Sequence, residues 1–407
     1  MKRVVRFSAV FMCMLAMTFL GVRGVQAEVG VTDDTILLGS FQDMSGPGAY
    51  LGKLCTTTMK VWMGYVNNDL GGIHGRKLDL VVEDNKYDPV LTKTAFNKLV
   101  NQHKVFALVM VYGSTPCTAV KDDIKREKIP VFPTMATVQS MFDPMNRYLY
   151  WYACSDEDNA IMMVDYIVND LKPEKFKVGV CYQDDEWGKS ALKGLDLACK
   201  KYGLKYAAAG YKRGSKNLNT QAMRLKAKGV THCFYAGYAP VYAALLKEAD
   251  KIGWKPVFFG DYVTVDPRSF MAGDLADGHY HFSNLGLRSE GVPGWKRLES
   301  LFTAAGAEKM LNVPLLPLLW NPMLMLTQAL QDCGRDLTRE KLIDAIDSIR
   351  DFDTGGLGKI EYSPTTRKGT HYYRILQCDA EKKIFVPMTD WRQPSIVWGS
   401  KERPASK

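Results

Sequence analysis

Between residues 36 and 260 the chain alternates short apolar runs with longer amphipathic ones, and this rhythm leaves few folds open to it. The apolar runs at 36–41, 78–83, 105–111, 131–132, 178–182, 206–209, 232–235 and 257–260 have the length of strands. Between them hydrophobic residues recur at helical spacing. Leu54, Met59, Trp62, Tyr65 and Val66 make one such face, and Asp88-Pro89 supplies an N-cap and first-turn proline for a helix running to 102. Further helical stretches span 156–171, 189–202, 220–228 and 241–252. Alternation of this kind predicts an α/β fold, with parallel sheets covered by helices on both faces.

The rhythm pauses once, at 142–152, and then restarts, so each half reads as its own doubly wound lobe. A chain of 407 residues also exceeds the usual size of one core. After about Ser283 the order changes to two long helices at 315–333 and 338–349, a Gly355-Gly356 turn and an extended region at 372–386. That segment cannot form a domain alone and is expected to return and complete both sheets. The predicted organisation is a first lobe of 28–152 plus 284–357, a second lobe of 153–283 plus 358–395, and a tail of 396–407. Strand C-terminal ends would then face a shared cleft, where open α/β sheets bind ligands.

The first residues read as an export signal. Lys2, Arg3 and Arg6 precede an apolar stretch, Val10 to Leu20, too short to cross a bilayer, and Val25-Gln26-Ala27 has the small residues of a cleavage site. Cleavage after Ala27 would place the mature protein in the periplasm. It would also lower the formal charge from +9 to +5, because Lys2, Arg3, Arg6 and Arg23 leave with the signal. The remaining basic residues are dispersed and form no stripe with interleaved aromatics, which argues against nucleic acid as a partner. Eight cysteines remain, at 55, 117, 154, 181, 199, 233, 333 and 378, and their spacing does not choose a disulfide pairing. No CxxC, G-x-S-x-G, HExxH or Walker A sequence occurs. His279 and His281 share a strand face without a third ligand, and Asp184-Asp185-Glu186 lacks the spaced ligands of a calcium loop, so neither metal nor cofactor is expected.

The residues after each strand carry the functional signal. They are 40–52, Tyr112 to Pro116, Thr134 to Thr137, 183–188, Ala236 to Pro240 and Asp261 to Val263. Gly46, Gly48 and Gly52 come close to a dinucleotide fingerprint. Against a nicotinamide-dependent oxidoreductase, Pro47 removes an amide between the glycines, and Glu83 or Asp84 lies nearly twice the ~20 residues expected for a ribose partner. Ser114 and Thr137 stand before helices, where hydroxyls cap and free amides bind an anion such as a carboxylate, two roles that coexist. Tyr50, Tyr112, Trp187 and Tyr238, each at the mouth of a different strand, suggest an aromatic pocket. Asp261 reads equally as an ammonium partner or as a turn residue.

At these loops the chain resembles the exported solute-binding proteins of the branched-chain amino acid ABC transporter family, the type I periplasmic binding proteins. The motifs that carry the resemblance are the run from Met44 to Gly52, Gly71-Gly-Ile-His-Gly-Arg-Lys77, Glu83-Asp-Asn-Lys-Tyr-Asp-Pro89, the Gly113-Ser-Thr loop, the segment from Ile129-Pro130 to Thr137, Trp187-Gly188 and Tyr235-Ala-Gly-Tyr238. The resemblance implies two lobes joined by three crossovers that close on a small solute without catalysis. It implies that Ser114 and Thr137 hold a ligand carboxylate and that the backbone of Met135 and Ala136 accepts from an amino group. Tyr50, Leu51 and Tyr112 would line the pocket on the first lobe, and Trp187 and Tyr238 would cover it from the second.

Three departures stand out. Trp187 replaces the family's usual tyrosine. Where amino-acid binders carry an acidic residue for the ammonium group, the register offers Asp261 or Tyr262; with Tyr262 there, a carboxylic acid, an amide or an aromatic acid fits better than an α-amino acid. Tyr87 and Gly113 occupy the positions of the family's pocket disulfide, and Cys55 with Cys117 is the candidate replacement. The expected function is capture of a small amino acid or related carboxylate or amide by a monomer that delivers it to an ABC permease. A sensor subunit of the same fold is the alternative.

Overall fold

The computed structural model describes residues 28–142, 144–152 and 154–396. The export signal, its cleavage site and the tail beyond 396 lie outside the described residues. Two sheets form the frame. The first contains β1 (Thr35–Gln42), β2 (Lys77–Asp84), β3 (Ala107–Leu108), β4 (Val111–Tyr112), β5 (Val131–Met135) and β6 (Leu149–Trp151). β1 lies between β2 and β3, and β3 and β4 both pair with β5, so they are one strand position interrupted at Val109–Met110. All these pairings are parallel, and β6 adds itself outside β5. Flanked on both edges and covered on both faces, β1 buries Ile36, Leu38 and Phe41, the pattern of a central parallel strand.

The single strand expected at 105–111 is therefore two. Met110 takes φ +48°, and its carbonyl accepts from Gln42 Nε2 at 2.5 Å instead of from a neighbouring strand. A left-handed, non-glycine residue does not continue a ladder.

The second sheet runs β13–β12–β11–β10–β9–β7–β8. Its strands are β7 (Val178–Gln183), β8 (Tyr206–Tyr211), β9 (His232–Ala236), β10 (Val257–Gly260), β11 (Tyr280–Ser283), β12 (Arg374–Asp379) and β13 (Ile384–Pro387). From β8 to β11 it is parallel, while β12 and β13 are antiparallel additions. The helices between strands are α1 (Ala49–Gly64), α2 (Pro89–Asn97), α3 (Ser114–Glu127), α4 (Asp156–Tyr166), α5 (Glu186–Tyr202), α6 (Asn219–Ala227) and α7 (Ala239–Lys251). Asp88 caps α2 through Val90 N and Leu91 N as the sequence indicates, and the helix continues to Gln102 as a wider turn.

After β11 come α8 (Pro293–Ala304), α9 (Leu316–Asp332) and α10 (Arg339–Ser348). The return of the chain differs from expectation: among the described residues this segment joins the first lobe as helices, and only the second sheet gains C-terminal strands. α9 packs along α1, where the buried Trp62 Nε1 donates to Thr327 Oγ1 at 2.8 Å. Buried polar contacts tie the crossings together. Asp158 accepts from Lys368 Nζ and from Tyr373 Oη, Tyr362 Oη donates to the Trp151 carbonyl at 3.1 Å, and Asn321 Nδ2 donates to Tyr152 Oη at 3.0 Å. Each of these joins residues far apart in sequence.

Candidate ligand-binding cleft

The C-terminal ends of the two sheets face one another, and the loops there are built by local hydrogen bonds. After β1, the Asp43 carboxylate accepts from Gly46 N at 2.5 Å and from Gly48 N at 2.6 Å, folding the glycine run into a turn. A Cβ on Gly52 would stand 2.0 Å from the Asp43 carbonyl oxygen, and one on Gly48 would stand 3.0 Å from the Tyr238 hydroxyl. The glycines thus admit close backbone packing and a tyrosine from the other lobe. After β4, Gly113 takes φ +102° and starts α3 with no side chain capping its N-terminus. After β7, Asp185 caps α5 through Trp187 N and Gly188 N, which turns the Trp187 ring into the cleft. After β10, Asp261 Oδ1 accepts from Val263 N at 2.8 Å and forms the turn that presents Tyr262 and Val263.

These loops enclose a cavity. The first lobe contributes Leu51, Tyr87, Tyr112, Gly113, Ser114, Met135 and Thr137, and the second contributes Trp187, Tyr238, Tyr262 and Val263. Its free space is about 20 Å³, room for about one water, so a solute enters only by parting the walls. Tyr112 Oη and Tyr238 Oη meet across it at 2.8 Å, and the Trp187 and Tyr238 rings meet at 4.9 Å. Burial raises the Tyr112 and Tyr238 phenols well above their ordinary value, which keeps both neutral. Larger depressions beside Asp274, Asp277 and Asp379 and beside Cys333 and Lys341 open to solvent away from the strand ends.

The polar corner of the cavity is a relay. Ser114 Oγ accepts from Thr137 N at 3.1 Å and lies 3.3 Å from Thr137 Oγ1. Thr137 Oγ1 donates to Asp156 Oδ2 at 2.5 Å, where Ser190 Oγ also reaches at 3.4 Å. Asp156 and Asp261 are both wholly buried, and burial and their mutual repulsion push the Asp156 carboxyl upward. Burial likewise raises Asp261. Two buried carboxyls that act on one another in this way titrate together rather than independently.

The structure separates the residues expected at the site. Leu51, Tyr112, Ser114, Met135, Thr137, Trp187 and Tyr238 come together on the cavity. Tyr50 does not: its ring is 39% exposed at the rim and carries the Arg268 guanidinium 3.4 Å from its centroid. Ala136 is fully buried, its N–H already given to Thr134 Oγ1. Asp261 lies behind the wall, and Tyr262 takes the place at the cavity. The reason is the turn itself, since the carboxylate is folded back to cap its own backbone. Tyr87 belongs to the wall although sequence reasoning assigned it only a vacated disulfide position; its place in the loop after β2 was the available signal. Cys55 and Cys117 are both free and buried, so they form no replacement disulfide, and no cysteine pair is bonded among the described residues. His281 bonds Thr264 Oγ1 and Cys378 Sγ, and no group of three or more metal-ligating side chains occurs among the described residues.

With this fold and cleft, the chain belongs to the periplasmic binding protein family, matched over residues 35–383, in its type I, branched-chain amino acid branch. The Leu/Ile/Val-binding protein of Escherichia coli (strain K12) is 26% identical over 239 residues, 58% of this chain and 64% of that protein. The match thus spans less than two thirds of that relative's length. Two solved structures share the fold. A fatty acid ABC transporter substrate-binding protein from Thermomonospora curvata superposes with TM-score 0.81 at 23% identity, covering 94% of this chain and 97% of the other. A branched chain amino acid ABC transporter protein from Thermus thermophilus with bound valine gives 0.82 at 19% identity, covering 90% and 98%.

Proposed function

We infer that this chain is the exported solute-binding protein of an ABC importer, capturing a small amino acid or a related carboxylate or amide between its lobes. The observation that carries the reading is the cavity at the strand ends, walled from both sheets and bridged by the Tyr112–Tyr238 hydrogen bond. The family supports the transport role. The E. coli relative is named for leucine, isoleucine and valine, and the structural neighbours for valine or fatty acid, all carrying a carboxylate. The lobes divide at 28–152 plus 284–357 and 153–283 plus 358–395, with export by the cleaved segment 1–27, a monomer in the periplasm, and a permease as the docking partner. No helix among the described residues is long and apolar enough to cross a membrane.

A ligand that touches both walls favours the form in which they meet, and hinge closure follows from that differential affinity. Useful uptake requires affinity around micromolar, about −8 kcal/mol. The Ser114 hydroxyl, the uncapped amides of α3 and a desolvated aromatic wall provide charge-assisted bonds and apolar burial of that order. Replacing Ser114 and Thr137 together with alanine is expected to abolish the thermal stabilisation that a bound ligand confers. An unchanged shift would remove these residues from the site.

A further inference from the structure

Resting on that reading of the cleft, we propose that the solute is a carboxylate without an ammonium group, and that its body is aromatic or a short flat hydrocarbon. None of the side chains that wall the cavity is charged. Every carboxylate around it lies behind the walls with at least one oxygen engaged by the protein, and Asp156 Oδ1 and Asp261 Oδ2 are buried there without a partner. Asp43 holds the Gly46 and Gly48 amides, and Asp185 caps α5 and accepts from Gln183 Nε2. Asp156 accepts from Thr137 and Ser190, and Asp261 caps its own turn. Both Asp156 and Asp261 have no exposed surface. An ammonium group placed against these walls would meet hydroxyls, backbone carbonyls and aromatic faces but no carboxylate in the lining, so its charge would be only partly compensated.

The same walls suit a carboxylate. α3 has 14 residues and no side-chain cap, and Gly113 and Ser114 line the cavity, so the positive end of the helix abuts it. Thr137 gives its only hydroxyl proton to Asp156, so the Ser114 hydroxyl is the donor toward Thr137 Oγ1 at 3.3 Å, a long contact that an anion at the cavity can replace. The rings of Tyr87, Tyr112, Trp187, Tyr238 and Tyr262 make up most of the remaining wall, which favours a planar apolar body.

The test compares acids that share a carbon skeleton and differ only in the amino group: 3-phenylpropanoate against phenylalanine, and 4-methylpentanoate against leucine. Titration calorimetry on the mature protein is expected to give at least tenfold tighter binding to the deamino member of at least one pair, with benzoate also binding. Tighter binding of the amino acids would overturn this proposal alone and leave the solute-binding reading standing. Binding of no acid in the set would overturn both. In Tyr262→Glu, which restores an anion to the wall, the preference within a pair is expected to move at least tenfold toward the amino acid. A properly folded variant with unchanged preference would show that position 262 does not set it.

Discussion

At the scale of single residues, the buried Asp156–Asp261 pair gives the fold one pH-sensitive point, and the buried His279 and His281, held below their ordinary value by burial, act in the opposite direction. Burial pushes the Asp261 carboxyl up to about 7, against an ordinary value near 4. An acid that binds its proton more tightly when folded contributes stability at low pH, and that contribution is lost as pH rises through the folded value. The pair is therefore expected to weaken the fold between about pH 4 and about pH 7. Asp261→Asn keeps an acceptor for Val263 N and removes the charge. It should flatten this part of the stability curve and be more stable than wild type at pH 8 by about 1 kcal/mol or more. Urea unfolding of both proteins at pH 5 and pH 8 reads this directly, and parallel pH slopes would exclude the pair as the cause. The same pair explains an asymmetry at the ligand corner. Thr137 is tied to the second lobe through Asp156, while Ser114 as a donor makes only a long 3.3 Å contact to Thr137 Oγ1.

At the scale of elements, the glycine run after β1 shows how local chemistry serves a tertiary contact. Its spacing invites comparison with a phosphate loop, yet its amides are occupied by the Asp43 carboxylate. Gly52 lies against the Asp43 backbone so closely that any side chain must displace it. Gly52→Ala is accordingly expected to destabilise the protein by roughly 1–3 kcal/mol, the ordinary cost of overpacking, and to weaken ligand binding by moving Leu51. Denaturant midpoints and calorimetry would check the two effects separately. Elsewhere the elements follow their local signals. Asp88, Ser155, Asp185 and Thr338 each cap the helix that follows them.

At the scale of the whole molecule, three contacts bring the lobes together at the cleft mouth. Beside the Tyr112–Tyr238 bond, Arg213 lies 4.9 Å over the Tyr87 ring and donates to the Tyr87 carbonyl at 2.9 Å. On the Tyr50 side, Arg268, held by Asp266 at 2.7 and 2.9 Å, covers the exposed ring. An arginine over an aromatic face contributes about 0.5–1 kcal/mol at such sites, so Arg213→Ala and Arg268→Ala should each speed ligand release roughly two- to fivefold. Stopped-flow release from each variant tests this, and rates equal to wild type would show that the arginines do not hold the walls together.

How much of this was legible beforehand follows from the range of the forces involved. Alternating periodicity, helix caps and turn glycines act over a few residues. The sequence alone therefore determined the α/β class, the two lobes and the loops that face the cleft. It also placed Ser114, Thr137, Trp187 and Tyr238 at strand ends. Only the tertiary structure decided that Tyr262, not Asp261, lines the cavity, because a one-residue choice depends on which group caps the turn. It likewise decided that Tyr50 pairs with Arg268 at the rim, that Cys55 and Cys117 are both free thiols, and that the C-terminal strands join one sheet only. Apart from the Asp261 turn, whose partner is two residues away, those outcomes set groups from distant parts of the chain against one another, and their burial and charge come into play only once the lobes are packed.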